Sequence, residues 1–462
     1  MQLLWNTASR SLARVDPIAP GKTGMYACGP TVYQRAHIGN LRSYVLEDVL
    51  RRALETIEGL NVRHVMNITD VGHLVGDEDS GEDKIERSAK EQGKDAWAIS
   101  REYTDLFFKD LDALSVLRPT VTPKATEHIE AQIDLVRILE QKGYTYRTSD
   151  GIYFDTSKFP SYGSLSGQRL EEKEAGARVA VNEEKRNASD FALWKFSPNA
   201  GTGEKRQMEW ESPWGVGFPG WHVECSAMSR KELGQPFDIH VGGVDHIAVH
   251  HENEIAQSVA AYGVPLANTW VHFEFLMVDG RKMSKSLGNT YTLDDLAAKG
   301  IDPIVFRYFV LGAHYRSKQN FHWEAINGAK QAYEKLVRTI RAWDKPGDVG
   351  VAALEERFRD AILNDLNTPE ALAIVWELVN GDFTTQEKSV SLQFFDKILG
   401  LKLSGYISQQ LSIPEDIRKI ADARWEARSK EDWTEADRLR KDLADRGWKM
   451  LDGKEGYSLE QT

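Results

Sequence analysis

The chain has 462 residues, enough for two to four domains, and its 41% hydrophobic and 28% charged residues are typical of a globular protein. No apolar run is long enough to span a bilayer and the N-terminus lacks signal-peptide features, so we expect a cytoplasmic protein without a membrane segment. The formal net charge of −12 argues against non-specific nucleic-acid binding, and two cysteines exclude a disulfide framework.

The first predicted unit is a βαβ motif over residues 24–70. A short apolar strand ends at Gly29 and Pro30, and a helix with regularly spaced apolar residues is expected to begin near Leu41. A second strand is predicted over 62–70. Because βαβ connections cross over right-handed, the motif predicts a parallel sheet.

His37 and Gly39 lie at the predicted strand-to-helix junction. Free N–H groups and the positive end of the helix dipole favour phosphate there, and Gly39 leaves room for a nucleotide. The sequence contains neither the glycine-rich dinucleotide fingerprint nor a P-loop, so any nucleotide must be bound by another motif.

The middle of the chain is predicted to be less regular. Residues 71–94, rich in acids and glycines, are expected to form an exposed loop. Helices are predicted over 95–114 and 126–142, and a hairpin over 144–155. Residues 160–218 are expected to form an irregular insertion between two halves of a sheet.

A second functional region follows the insertion. An apolar strand over 237–245 ends in glycines and an acid, as at the ligand-binding edge of an open α/β sheet. A helix is predicted to begin at His250. The polar loop 280–289 is expected to be mobile, and its Lys282 and Lys285 could reach the β- and γ-phosphates of a nucleotide.

The C-terminal third is predominantly helical in its pattern. A small bundle is predicted, with helices at 325–343, 354–363 and 368–378. A linker over 403–414, two charged helices at 414–428 and 430–446 and a short strand at 448–452 are predicted to follow.

The two cysteines suggest a metal site. Cys28 and Cys225 lie in or near the functional regions, and His250 and Glu254 share one helix face at i and i+4. Sulfur, nitrogen and carboxylate ligands together suit Zn²⁺. His251, at i+3 from Glu254, is an alternative ligand, and two buried thiols without a metal are the other interpretation.

Several motifs together resemble the cysteinyl-tRNA synthetases, which are class I aminoacyl-tRNA synthetases. The motifs, in chain order, are CGPTVY at 28–33, HIGN at 37–40, GWHVECSAM at 220–228, HHENEIAQ at 250–257 and KMSKS at 282–286. Shorter similarities continue to residue 437, so the resemblance covers nearly the whole chain.

The resemblance implies an α/β protein with a Rossmann-type parallel-sheet catalytic domain split by an insertion, followed by an α-helical bundle and a small mixed C-terminal domain. It implies six units. The catalytic part consists of a first half (1–115), a connective insertion (116–205) and a second half with the zinc site (206–265). A KMSKS-loop junction (266–321), a tRNA-binding bundle (322–402) and an anticodon-recognition domain (415–462) follow.

The implied reaction joins L-cysteine and ATP, with Mg²⁺, into cysteinyl-adenylate and then transfers the cysteinyl group to the 3′ end of tRNA(Cys). The implied zinc ligands, one ion per chain, are Cys28, Cys225, His250 and Glu254, which excludes His251. The implied catalytic and ATP-binding residues are His37, Gly39, Asn40, Lys282 and Lys285. The implied cysteine-site residues are Gly29, Thr31, Trp221 and Asp245, with His222, His240 and His272 near the metal.

Other features remain to be reconciled with this family. The segment after Asp70 departs from the family's short acidic turn, and the acidic net charge requires a local basic track for tRNA, expected to include Arg438 and Arg440. The competing functions are a zinc-dependent ligase of cysteine and an amino sugar, which needs no anticodon-binding end, and a non-catalytic tRNA-binding relative. A monomer is expected.

Overall fold

A four-stranded parallel sheet supports the N-terminal half of the chain. The structure is a computed structural model, and it describes residues 1–74, 82–167, 184–197, 206–283, 287–409, 413–453 and 456–461. The order of its strands is β10 (Ala267–Phe273), β9 (Phe237–Gly243), β3 (Lys22–Ala27) and β4 (Asn61–Met66), and every neighbouring pair is parallel. The predicted parallel α/β sheet is therefore confirmed. The strands and helices of this unit are β1 (Leu3–Asn6), β2 (Ser11–Arg14), β3 (Lys22–Ala27), α1 (Ile38–Thr56), β4 (Asn61–Met66), α2 (Lys84–Gln92), α3 (Ala96–Ala113), α5 (Trp221–Leu233), β9 (Phe237–Gly243), α6 (His250–Tyr262) and β10 (Ala267–Phe273).

The order of the strands creates a cleft between β3 and β9. From β3 the chain passes through α1 to β4 on one side, and from β9 it passes through α6 to β10 on the other side. Loops that leave two adjacent strands in opposite directions open a crevice at the carboxyl ends of those strands. The crevice lies where Cys28 follows β3 and where the glycines end β9.

Helix α1 begins earlier than predicted, at Ile38. His37 is its N-cap residue: its Nδ1 accepts from Asn40 N at 3.2 Å, and Asn40 Oδ1 accepts from His37 N at 3.4 Å. This reciprocal capping satisfies two N–H groups that the first turn would otherwise leave unpaired. The cap fixes both side chains at the edge of the cleft.

The predicted exposed loop over 71–94 is wrong for much of its length. Helix α2 occupies Lys84–Gln92, its N-cap Asp83 accepts from Ile85 N and Glu86 N, and Ile85 and Ala89 are fully buried. High acid content concealed an amphipathic helix with one buried face. Residues 75–81 lie outside the described part of the chain.

The insertion is more regular than predicted. Helix α4 (Ile129–Gln141) packs near an antiparallel sheet of order β5-β6-β7-β8, with strands Thr145–Arg147, Gly151–Phe154, Phe191–Phe196 and Gly217–Pro219. The predicted hairpin β5-β6 is confirmed, but two further strands occur within the range expected to be irregular. Strand β7 is buried on both faces, which gives an apolar run instead of an alternating pattern.

A junction unit connects the sheet to the helical bundle. It contains β11 (Leu276–Val278), β12 (Arg281–Lys282), α7 (Leu293–Ala298), α8 (Pro303–Leu311) and β13 (Gln319–Phe321). The loop predicted over 280–289 thus begins as a strand paired with β11, and residues 284–286 lie outside the described part of the chain.

The C-terminal third is helical, as predicted, with one additional bundle helix. The bundle contains α9 (Trp323–Arg341), α10 (Ala352–Leu363), α11 (Thr368–Asn380) and α12 (Thr385–Leu399). The terminal unit contains α13 (Glu415–Ser429), α14 (Trp433–Asp445), β14 (Trp448–Asp452) and β15 (Tyr457–Gln461).

The linker predicted over 403–414 is partly wrong. Leu403–Tyr406 forms a 3-10 turn, Leu403 is buried in the main core, and Ser404 N donates to Asp396 Oδ2 at 2.8 Å. The first part of this segment therefore belongs to the bundle. Among the described residues, no helix has both the length and the apolar character needed to cross a bilayer.

Candidate active site and metal centre

The cleft at the carboxyl ends of β3 and β9 brings most of the predicted site residues together. It encloses about 300 Å³. The predicted residues that line it are Cys28, Gly29, Thr31, His37, Gly39, Asn40, Trp221, Cys225, Asp245, His250 and Lys282. Glu254 is fully buried behind the lining, and Lys285 lies outside the described residues.

One end of the cleft is formed by the start of α1. A side chain at Gly39 would overlap the end of the Met283 side chain and crowd the His37 ring, so a larger residue would require both side chains to move. Ile38 N donates to Tyr291 O at 2.8 Å, which ties the helix start to the segment after the lysine loop. Lys282 Nζ lies 4.4 Å from the centre of the Phe275 ring. The positive end of the α1 dipole and the Lys282 cation therefore line the same end of the cleft, a combination that favours an anion.

The other end contains two overlapping groups of possible metal ligands that share Cys28. One group consists of Cys28, Cys225 and His250, and the other of Cys28, His240, His251 and Glu254; within each group the ligand atoms lie within 4.8 Å of one another.

The geometry bears on the choice between His250 and His251. Both Nε2 atoms lie 3.7 Å from the Glu254 carboxylate, and His251 Nε2 lies 3.3 Å from Cys28 Sγ. Cys225, however, groups with His250 and Cys28 alone. A metal site that uses both thiols therefore favours His250 as the imidazole ligand. His251 belongs to the other group, with Cys28, His240 and Glu254.

Further histidines surround the two groups. His222 Nδ1 lies 2.9 Å from His250 Nδ1, His240 Nε2 lies 3.1 Å from Glu254 Oε2, and His272 Nε2 lies 2.8 Å from His251 Nδ1. Hydrogen bonds of this kind orient metal-ligating side chains. The three histidines that the resemblance places near the metal thus contact the candidate ligands directly.

Burial favours the neutral form of both kinds of ligand, and of these only the neutral imidazole is already in the form that binds a cation. Burial, and then the neighbouring histidines, lower the pKa of His250 well below its usual value, so its imidazole is neutral. Burial, and then Cys225, raise the pKa of the Cys28 thiol well above its usual value. A dication would supply the positive charge that thiolates lack here, and two sulfurs, an imidazole and a carboxylate form a donor set typical of zinc.

The cleft wall includes residues that the sequence analysis did not single out, among them His73 and Glu47. His73 stacks on Trp221 with ring centroids 4.0 Å apart, and Glu47 lines the cleft with a pKa raised to about 8 by burial and then by Asp48. The sequence could have indicated both positions. His73 follows β4 at the sheet edge where ligands bind, and Glu47 lies seven residues after Asn40 on the same face of α1.

The fold and the cleft define the class of protein. The family described as "tRNA synthetases class I (C) catalytic domain" matches residues 14–331. Two solved structures share the fold: Mycobacterium tuberculosis methionyl-tRNA synthetase with methionyl-adenylate (TM-score 0.57, 16% identity, 87% of this chain and 94% of that chain) and the Agrobacterium radiobacter LeuRS-tRNA-LeuAMS complex (TM-score 0.60, 12% identity, 85% of each chain). The chain is a class I aminoacyl-tRNA synthetase.

Curated relatives identify the particular family. The chain is 49% identical over 457 residues to Cysteine–tRNA ligase 1 of Burkholderia lata, covering 99% of this chain and 96% of that relative. It is 43% identical to the Opitutus terrae cysteine–tRNA ligase and 40% identical to a Thermus thermophilus cysteine–tRNA ligase, each match covering 98% or more of both chains. The chain belongs to the cysteine–tRNA ligases, which confirms the resemblance and sets aside the amino-sugar ligase and the non-catalytic relative.

Proposed function

We infer that the chain activates L-cysteine with ATP and transfers the cysteinyl group to tRNA(Cys). A carboxylate oxygen of cysteine attacks the α-phosphorus of ATP and pyrophosphate leaves. A hydroxyl of the terminal adenosine then attacks the carbonyl carbon and AMP leaves. The observation that carries the proposal is that one cleft combines an anion-binding helix start with a buried thiol and histidine group.

The ATP end of the cleft is assigned to the start of α1 and the lysine loop. We propose that Gly39 admits the nucleotide, that His37 and Asn40 contact its phosphates, and that Lys282 and Lys285 stabilise the charge on departing pyrophosphate. The proposal is supported by the capped helix start and by Lys282 in the cleft lining. Mg²⁺ would accompany ATP as part of the substrate.

The cysteine end is assigned to the thiol and histidine group. We propose that Cys28, Cys225, His250 and Glu254 hold one zinc ion per chain. When bound, zinc would favour a thiolate over the harder and less acidic hydroxyl of serine. Trp221 and Asp245 would line the amino-acid site beside Gly29 and Thr31.

The remaining assignments concern the setting of the reaction. Residues 322–402 and 415–462 are proposed to contact tRNA. Thiol ligands require a reducing compartment, so we propose a cytoplasmic enzyme. We also propose that the enzyme is a monomer.

The proposal is tested by exchange of labelled pyrophosphate into ATP. Purified full-length protein should catalyse exchange with L-cysteine but not with L-serine, and should charge tRNA(Cys) in a separate assay. Exchange that does not depend on the added amino acid, or that proceeds equally with serine, would contradict it.

A further inference from the structure

Three polar side chains form a continuous hydrogen-bonded row along the cysteine end of the cleft. Lys84 Nζ lies 2.7 Å from His73 Nε2, and His73 Nδ1 lies 2.6 Å from Thr31 Oγ1. Lys84 N also donates to His73 O at 3.0 Å. The row therefore links α2 to the loop that follows β3.

The His73 ring is held from two directions. Its edge makes the two hydrogen bonds, and its face stacks on Trp221 with 13° between the ring planes. Trp221 in turn lies near His250, with ring centroids 4.5 Å apart. Because His73 is only 7% exposed, this arrangement leaves its ring little freedom to rotate.

The direction of the row follows from donor chemistry. A lysine ammonium has only donors, so His73 Nε2 must accept. A neutral imidazole that accepts at Nε2 carries its hydrogen on Nδ1, so Nδ1 donates to Thr31 Oγ1. Within the part of the chain that the structure describes, His73 is the one side chain hydrogen-bonded to that hydroxyl. The Thr31 hydroxyl hydrogen is thus directed to an acceptor in the cleft, which Thr31 lines.

We propose that Lys84 and His73 are positioning residues that make the Thr31 hydroxyl a hydrogen-bond donor to the carboxylate of L-cysteine. Thr31 lies three residues after Cys28, and its partner His73 stacks on Trp221. His37, Asn40 and Lys282, which are assigned to the phosphates, line the other end of the cleft. The inference rests on the proposed function. The oxygen held by Thr31 is the one that does not attack ATP and becomes the carbonyl oxygen of the adenylate.

The test compares cysteine with cysteamine, which keeps the thiol and the amine but lacks the carboxylate. Dissociation constants are measured by calorimetry on the full-length, zinc-loaded protein. Thr31→Val should weaken cysteine about tenfold and leave cysteamine within twofold, because one hydrogen bond to a charged group is lost. His73→Phe, which keeps a ring to stack on Trp221, and Lys84→Met should act in the same selective way.

Two comparisons separate this role from a merely structural one. Lys84→Arg, which also has only donors, should retain most of the preference for cysteine over cysteamine. Lys90→Met, on the exposed side of the same helix, should change the dissociation constant of neither compound. In the Thr31→Val background, Lys84→Met should have no further effect on cysteine, since the row already lacks its last member.

Additive effects of the Thr31 and Lys84 changes, or equal losses for cysteine and cysteamine, would overturn the inference. A wild-type protein that shows no cysteine-dependent pyrophosphate exchange would instead contradict the proposed function.

Discussion

Single atoms decide the chemistry of the proposed metal centre. Cys225 Sγ joins Cys28 and His250 in one group, while Glu254 is fully buried and lies against His240. A serine at position 225 would retain the size of the side chain but replace a soft ligand with a hard one that ionises far less readily. The effect of that change should be confined to the cysteine end of the cleft.

We predict that Cys225→Ser lowers the zinc content below one ion per chain and weakens cysteine binding more than ATP binding. Elemental analysis after mild dialysis and separate titrations of the two substrates measure both effects. Ser226→Ala, a change at the next residue of the same helix, is the matched control because its buried Oγ has no hydrogen-bond partner among the described residues. A protein that is free of metal yet activates cysteine normally would refute the zinc proposal.

The lysine loop gives a second prediction at this scale. Lys285→Ala should reduce pyrophosphate exchange about 10²- to 10³-fold, the usual loss for one preorganised charge contact in a transition state. Lys299→Ala, beyond the loop and over Trp323, should leave the rate within twofold. Exchange near the wild-type rate in the Lys285 variant would remove that lysine from the reaction.

His64 shows what burial does to a titratable group outside the cleft. Both ring nitrogens are buried without a hydrogen-bond partner in the described part of the chain, and burial, then Arg51, lower the pKa of His64 from 6.5 to about 3, partly opposed by Asp48. Between these two values the unfolded chain binds a proton that the folded chain does not. The free energy of unfolding should therefore decrease as the pH falls below about 6.5, by about 1.4 kcal/mol per pH unit from this residue.

We predict that His64→Phe, which cannot be protonated, makes the unfolding midpoint less sensitive to pH between 7 and 5. The measurement is chemical denaturation of both proteins at the two pH values, and the difference between the two shifts isolates this residue from other titrating groups. His64→Leu, which also cannot be protonated, should reduce the pH sensitivity by the same amount and so separates the loss of the titrating ring from effects of the new side chain. Identical pH shifts for wild type and His64→Phe would show that His64 is accessible to protons in the folded state.

At the scale of elements, α1 connects the cleft to the helical bundle. Its first turn presents His37 and Asn40 to the cleft, and its buried Asp48 accepts from Arg307 Nη2 of α8 at 2.6 Å. The Arg307 guanidinium also donates to Leu399 O at 2.6 Å and to Leu114 O at 3.1 Å. One planar group thus fixes α1, α3, α8 and α12 relative to one another.

Replacing Arg307 with lysine should lower the free energy of unfolding by about 3 kcal/mol, because a single ammonium cannot reproduce these divergent bonds and leaves buried acceptors unpaired. Arg357→Lys, which alters an ion pair with Glu377 that is about half exposed, should cost much less, because water screens exposed pairs. Denaturant titration of both variants tests the comparison, and equal losses would show that burial of the Arg307 network contributes little.

Periodicity in the sequence predicted the elements with one clear buried face and missed those without one. Helix α1 and strands β3, β4 and β9 were found because their apolar residues follow a single period between glycine or proline breaks. Helix α2 was hidden by acids, and β7 by burial on both faces. The cleft was predictable through motif spacing, but the position of His73 against Trp221 depends on tertiary packing that no local pattern encodes.

At the scale of the whole molecule, the acidic net charge must be reconciled with tRNA binding. Most basic residues of the terminal unit face acids of that unit: Arg438 pairs with Glu435, Arg440 with Asp437, and Arg424 and Arg428 with Asp452. The basic track expected to include Arg438 and Arg440 is therefore largely neutralised within the unit itself.

We propose that RNA is instead contacted by the surface between the bundle and the terminal unit. A cleft of about 1630 Å³ separates them. Its lining contains six cations (Lys330, Arg338, Arg341, Lys402, Arg418 and Lys449), three tyrosines (Tyr333, Tyr406 and Tyr457) and three acids (Asp302, Glu334 and Asp422), so positive charge predominates. Cations that contact phosphates and rings that stack on bases are the two contacts single-stranded RNA requires, and local charge governs a docked complex even when the net charge is negative.

The terminal unit can be removed to test this assignment, and the structure sets where the cut belongs. A cut before residue 404 would break the bond from Ser404 to Asp396 and expose Leu403, whereas a protein ending at 412 keeps the bundle complete. Pyrophosphate exchange by that protein should stay near wild type, since every residue assigned to adenylation lies before 290. The tRNA concentration needed for aminoacylation should rise, and the remaining tRNA binding should depend less steeply on salt because fewer phosphates are contacted. Full-length protein with Arg418→Gln and Lys449→Gln should reproduce part of both effects, and unchanged tRNA kinetics in both proteins would show that this unit does not contact tRNA.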